Sequence, residues 1–193
     1  MKKRTLLILI AAIVLFLLLA FIVIRTIVND TLGPRVERAS AAFTEGVMAS
    51  DGSTAQSLSD ALYQRLAASD RLQTLAAKFD EVYPEYTNLR NAHNALLDPL
   101  KNGGSFEDMK AADGKLTEAY QKCYDALGPL VSGKNASTRE QSAAELDAAA
   151  EAVTKAAESY NSYIRSFRSS TLNRFPNSIL KIFLQMDEPQ LWP

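Results

Sequence analysis

The chain has 193 residues, 47% of them hydrophobic and 22% charged, with 21 Lys and Arg against 22 Asp and Glu. That is room for one ordinary domain, or for a membrane anchor and a smaller domain, and the apolar content argues against disorder. A single Cys and a single His exclude an intramolecular disulfide framework and any site needing two imidazoles.

Leu6–Ile24 is apolar throughout, with Lys2, Lys3 and Arg4 before it and Arg25 after it. A helix of that length spans roughly 30 Å, the thickness of a bilayer core. We read residues 1–4 as a cytoplasmic N-terminus and 5–28 as a transmembrane anchor. A cleaved signal peptide is the rival reading. The apolar block exceeds an ordinary h-region, however, and Ala20 is followed by Phe21, Ile22 and Val23 rather than by a small-residue site. The basic flank favours the N-terminus inside and the rest of the chain outside. The remainder is mildly acidic and offers no basic footprint for nucleic acid.

Residues 34–175 read as a helical bundle. A short helical piece from Gly33-Pro34 to about Ala49 carries Val36, Ala39, Phe43 and Val47, and Ser50-Asp51-Gly52-Ser53 closes it. Leu58 and Leu62 open the next helix. Its seam then runs through Leu72, Leu75, Phe79, Val82, Tyr86, Leu89, His93 and Leu96 in +3 and +4 steps. Because the seam keeps phase across Pro84, the expectation there is a kink rather than a break. Asp98-Pro99 and Asn102-Gly103-Gly104 should end the helix.

Ser105 with Asp108 caps a third stretch, striped by Phe106, Met109, Ala112, Leu116, Ala119 or Tyr120, Cys123, Leu127 and Leu130. Ser132-Gly133-Lys134-Asn135 reads as a turn, and Ser137 with Glu140 as a capping box. The last long helix carries Leu146, Ala150, Val153, Ala157, Tyr160, Ile164, Phe167 and Thr171, and closes at Asn173 or Arg174 before Pro176. Twenty-eight alanines favour helix, and no run alternates at period two. The fold class is therefore all-α: a transmembrane helix followed by an antiparallel four-helix bundle.

Short connections make the four segments alternate up and down. That alternation returns the apolar tail, residues 176–193, to the membrane side. The tail is too short to span a bilayer, so two placements stay open: in the interface, or folded back as an end plug.

Groups able to do chemistry are sparse. His93 and Cys123 sit on helical stripes, where core roles are the ordinary ones. The adjacent acids Asp80-Glu81, Glu107-Asp108 and Asp187-Glu188 diverge on a helix and do not converge as an acid–base pair. Asp147, Glu151, Lys155 and Glu158 form a solvated face. No phosphate loop, Cys-x-x-Cys or calcium-loop pattern occurs. Asn135-Ala136-Ser137, a formal glycosylation sequon, reads as a helix-capping turn. Tyr83, Tyr86, Tyr120, Tyr124, Tyr160 and Tyr163 read as packing or edge residues. Neither catalytic nor metal nor cofactor residues are assigned, and no enzyme activity is expected.

The second half carries a resemblance. Ser159-Tyr160-Asn161-Ser162-Tyr163-Ile164-Arg165-Ser166-Phe167, followed by Arg174-Phe175-Pro176-Asn177-Ser178-Ile179-Leu180-Lys181-Ile182-Phe183, resembles the closing signature of the LemA family. That signature has two Tyr-Asn pairs seven apart, then Phe-Pro and a short apolar tail. Here Tyr160-Asn161 is intact, Phe167-Arg168 replaces the second pair, and the spacing to Phe175-Pro176 is one residue longer. Asn102 to Leu116 is similar to the acidic start of the family's third helix, whereas its Asp-Leu-Ile-Pro-type motif has no counterpart near Asp70-Arg71-Leu72-Gln73.

The resemblance, mainly over residues 100–184, implies a single-span protein of the bacterial inner membrane. It further implies an extracytoplasmic bundle and a non-enzymatic, scaffolding role in the cell envelope. Its expected partners are other membrane or envelope proteins, membrane lipid or further copies of the chain. Tyr160, Asn161, Arg165, Phe175 and Pro176 are the signature residues, expected to fix helix-end geometry or touch a partner. The alternative function is an extracytoplasmic ligand-sensing bundle, coupled through Gly33-Pro34 to a separate output subunit.

Overall fold

A computed structural model of the chain describes residues 3–48, 52–183 and 186–193. Lys2 of the basic flank, Ala49 to Asp51 around the expected first turn, and Leu184 and Gln185 of the tail lie outside the described residues. The described residues form α1 (Lys3–Thr31), α2 (Gly33–Glu45), α3 (Leu58–Ala76), α4 (Tyr83–Asn102), α5 (Phe106–Leu127), α6 (Gly133–Phe167) and α7 (Asn177–Phe183), and contain no β-strand. They divide into two units: residues 1–40 with 166–189, and residues 41–165 with 190–193.

In the first unit, α1 contains a stretch, Ile8–Thr26, long and apolar enough to cross a membrane and nowhere buried. Exposure of Leu15, Phe16, Leu17 and Leu18 on successive positions means that no face of this stretch is reserved for a protein core, whereas Val28 beyond it is buried. Past the span the backbone hardly breaks: the Leu32 N–H donates to Val28 O at 2.8 Å and the Val36 N–H to Leu32 O at 3.0 Å. Pro34 causes no interruption because it falls in the first turn of α2, where no N–H is needed.

At the other end of this unit, a π-helical turn, Arg168–Leu172, follows α6 and closes at Asn173. A widened turn moves the buried position from the expected Thr171 to Leu172. The Phe175–Pro176 peptide is cis, and α7 follows it. Glu188 ties the segment beyond α7 back, pairing with Lys181 at 2.6 Å and Arg168 at 3.6 Å.

In the second unit, α3 starts as its sequence dictates: Ser57 Oγ accepts the Asp60 N–H at 2.9 Å. The expected kink at Pro84 is instead a reversal. After Ala76 the helix tightens, with Lys78 N–H on Leu75 O and Phe79 N–H on Ala76 O. Phe79 is then extended, Asp80–Val82 make one 3-10 turn, and α4 begins with Pro84 in its first turn. Proline is accepted there because its missing N–H and its ring would both conflict with the preceding turn of a continuous helix.

Consequently α3 and α4 lie side by side, and the Ser69 hydroxyl meets His93 Nδ1 at 3.0 Å. The supposed single helix is a hairpin.

Helix α4 runs through Pro99, contrary to the expectation that Asp98-Pro99 would help stop it, and ends where Gly103 adopts φ 71°. The Gly104 N–H then caps Pro99 O at 2.8 Å. Ser105 caps α5 as expected, accepting the Asp108 N–H at 3.1 Å and donating to Asp108 Oδ2 at 2.8 Å. Met109, Ala112, Leu116, Tyr120, Cys123 and Leu127 of the expected stripe are buried against α3 and α4.

The turn before α6 lies earlier than Ser132–Asn135. Leu127 O accepts the Leu130 and Val131 N–H groups, and the helix starts at Gly133. Ser137 and Asn135 are thus inside α6 and cap nothing, which also corrects the capping-turn reading of the sequon. The buried stripe of α6 is Ser142, Leu146, Ala149, Val153, Ala156, Tyr160, Ile164 and Phe167, so Ala149 and Ala156 replace the expected Ala150 and Ala157. Tyr120 OH and Ser142 Oγ, 2.7 Å apart, join α5 to α6, and Arg71–Glu145 at 3.0 Å joins α3 to α6.

Candidate functional site

A groove of about 660 Å³ opens between α3, α5 and α6 in the second unit, and residues 192–193 form part of its wall. Its inner end is ionic. Arg65 sits on the apolar seam of α3 and is only 4% exposed; its Nε pairs with Asp113 at 2.5 Å and its Nη2 donates to Thr117 Oγ1. A buried guanidinium needs its carboxylate partner, since leaving either charge of the pair unmatched costs several kcal/mol, roughly 3–5. Toward solvent the lining is mixed: Thr154, Glu158 and Arg165 of α6, and Lys110 of α5, are exposed.

The wall made by the tail is held by two signature residues. Tyr160, 2% exposed, donates its hydroxyl to Gln190 O at 2.9 Å. Asn161 grips the Trp192 backbone twice, accepting its N–H at 2.8 Å and donating to its carbonyl at 2.9 Å. Lys110 Nζ donates to Pro193 O. Between these ties the Trp192 ring is buried, 5.7 Å from the Phe106 ring, in a cluster that includes Phe43 and Tyr160. For the last four residues, then, the chain packs onto its own helices.

Arg165 lies on the same groove, and among the described residues no hydrogen bond joins it to the tail. Phe175 and Pro176 belong to the other unit, where Phe175 is 81% exposed. The signature therefore divides into two residues that clasp, one on the groove, and two elsewhere.

The remaining titratable candidates are packing groups. Burial, followed by the nearby Glu85 carboxylate, pushes the Cys123 thiol up to about 11. Tyr120 is pushed up to about 12, chiefly by burial, although its Ser142 hydrogen bond pulls the other way. His93 is tied to Ser69 and lies 3.4 Å from Asp70. Lys155 and Glu151 pair at 2.6 Å on the exposed face of α6, and the Arg139 guanidinium lies 4.1 Å above the Tyr124 ring. Among the described residues no three His, Cys, Asp or Glu side chains are grouped to hold a metal ion.

The Arg65–Asp113–Thr117 trio was missed in the sequence. Its signal was present: Leu58, Leu62, Arg65, Ser69 and Leu72 are an unbroken +4, +3 seam in which two positions are polar. Comparison with family models, curated proteins and solved structures finds no match to this chain.

Proposed function

We propose that this chain is a non-enzymatic, membrane-anchored interaction protein, LemA-like, of the bacterial cell envelope. In this reading α1 crosses the inner membrane with its N-terminus in the cytoplasm, and α3 to α6 form an antiparallel four-helix bundle on the outer side. The pairings of α3 with α4, α4 with α5, α5 with α6 and α3 with α6 support the bundle. The observation that carries the function is the groove whose wall the signature residues Tyr160 and Asn161 hold in place. A chain whose polar side chains are spent on shaping a mixed-charge groove is built to receive another protein's segment.

The test is photo-crosslinking from native membranes, with a photoreactive residue replacing Thr154 or Arg165 in the groove and Lys101 of α4 outside it. One recurrent protein adduct from the groove positions, absent from position 101 and lost in Asn161→Ala, is the expected result. Equal labelling from all three positions, or no adduct at all, overturns the reading. The groove's volume also falls within the range of small-molecule sites. That favours, as the second reading, a ligand-sensing bundle working through a separate output subunit. A polar small molecule that raises the unfolding temperature, with no protein adduct, is the outcome that selects it.

A further inference from the structure

Within the first unit, Ile179 and Leu180 of α7 face Leu17, Ala20, Phe21, Ile24 and Arg25 of α1 across an almost wholly apolar groove of about 290 Å³. All of those α1 residues are inside the stretch Ile8–Thr26, in its C-terminal half. A helix packed there shares their depth. If α1 spans a bilayer, then α7 lies beneath the surface of the same leaflet.

The exposure of α7 suits that position. Phe175, Ile179 and Ile182 are 81%, 46% and 72% exposed, an apolar surface that water would penalise and acyl chains would not. Its one base is neutralised from within: Lys181 Nζ binds Glu188 at 2.6 Å and Asn173 Oδ1 at 2.8 Å. That pairing offsets part of the charge that would hold the helix at the surface, Glu188 being shared with Arg168. Arg25, the single charged residue lining the groove, stands one residue from the end of the stretch Ile8–Thr26, and a long cationic side chain near the end of a span reaches up to the headgroup level.

We propose that residues 175–183 are a second membrane-embedded element, immersed beside the C-terminal half of α1. The groove between the two helices takes a phospholipid acyl chain, and Arg25 meets that lipid's phosphate. The proposal rests on the reading of α1 as a membrane span.

The full chain, with Cys123→Ser to remove the native thiol, is reconstituted into vesicles of phosphatidylcholine and phosphatidylglycerol. A fluorophore is attached through Ile182→Cys in one sample and through Ile13→Cys in another. The vesicles carry phospholipid with a quenching nitroxide on its acyl chain, and iodide serves as the aqueous quencher. The expected result is that the Ile182 probe loses fluorescence to the nitroxide as fully as the Ile13 probe, while iodide quenches neither. Nitroxide quenching at position 13 but not at 182, with iodide reaching 182, overturns the embedded helix and leaves the anchor standing. Iodide quenching at both positions overturns the anchor reading and the proposal together.

Discussion

Trp192 is the chain's single tryptophan, so the tail clasp carries its own reporter. Burying a Trp removes about 200 Å² of surface, worth about 5 kcal/mol. The hydrogen bonds from Tyr160, from Lys110 and the two with Asn161 add about 1 kcal/mol each. Ordering residues 190–193 costs about 1.5 kcal/mol apiece. The net is about 3 kcal/mol of docking, which leaves roughly 1% of the tail undocked. Asn161→Ala removes two of the bonds and about 2 kcal/mol, raising the undocked fraction to about 15%. In detergent, acrylamide quenching of Trp192 should rise and its emission should shift to the red. Asn161→Asp, which keeps the acceptor for the Trp192 N–H and loses the donor, should fall between. If Asn161→Ala quenches like the parent chain while Phe106→Ala exposes the indole, ring packing holds the tail and the amide clasp does not.

Three further outcomes follow from the second unit. Asp113→Ala strands the buried Arg65 guanidinium and should cost about 3 kcal/mol, whereas Arg65→Met leaves a partly hydrated carboxylate and should cost about half that. Denaturant midpoints that rank the two equally would refute the assignment. Cys123 and Tyr120 both have raised values in the folded chain, so their contribution is fully present below about pH 9 and is lost as the pH climbs through about 11 and 12. Unfolding temperature should accordingly drop over that range, and at pH 8 the Cys123 thiol should resist alkylation until the chain unfolds. Gly46 and Gly52 both hold positive φ, 81° and 83°, but a Cβ at Gly46 would run into Ala55 O while one at Gly52 meets nothing within 4 Å among the described residues. Gly46→Ala should therefore cost well over the ~1–2 kcal/mol expected for Gly52→Ala, a difference readable in thermal melts.

Composition and periodicity were sufficient for the all-helical class, the apolar stretch of α1, the Ser105 cap and the buried stripe of α5, because each depends on neighbours within a turn or two. The Pro84 region was not legible in the same way. A heptad seam that stays in phase on both sides of a break is what two halves of a hairpin need when both pack on one core. Phase alone therefore cannot tell a kinked helix from a reversed one, and here the extended Phe79 decides it. The boundary before α6 was misread for a similar reason. Gly133, with φ 54°, starts the helix rather than separating two, and Ser137 in a capping-box pattern is overridden by the turn already made at Leu127. Arg65 escaped notice because polar residues on a seam look like noise until the partner helix supplies Asp113, 48 residues away.

If the chain receives a partner as proposed, the distribution of Tyr160, Asn161 and Arg165 narrows where that partner acts. Tyr160 and Asn161 spend their polar atoms on the backbone of residues 190–192, so replacing either would disturb a partner through the wall of the groove rather than by losing a direct contact. Arg165 has no such duty and lies on the groove beside Glu158 and Thr154. A substitution that alters binding without exposing Trp192 should therefore map to Arg165 or Glu158, and one that alters both should map to Tyr160 or Asn161. Charge reversal at Arg165 separates the cases. It leaves every tail hydrogen bond in place, so weakened crosslinking with unchanged indole quenching would assign the guanidinium to the partner. A rise in quenching with Arg165→Glu would instead mean that the groove and its wall are one structural element.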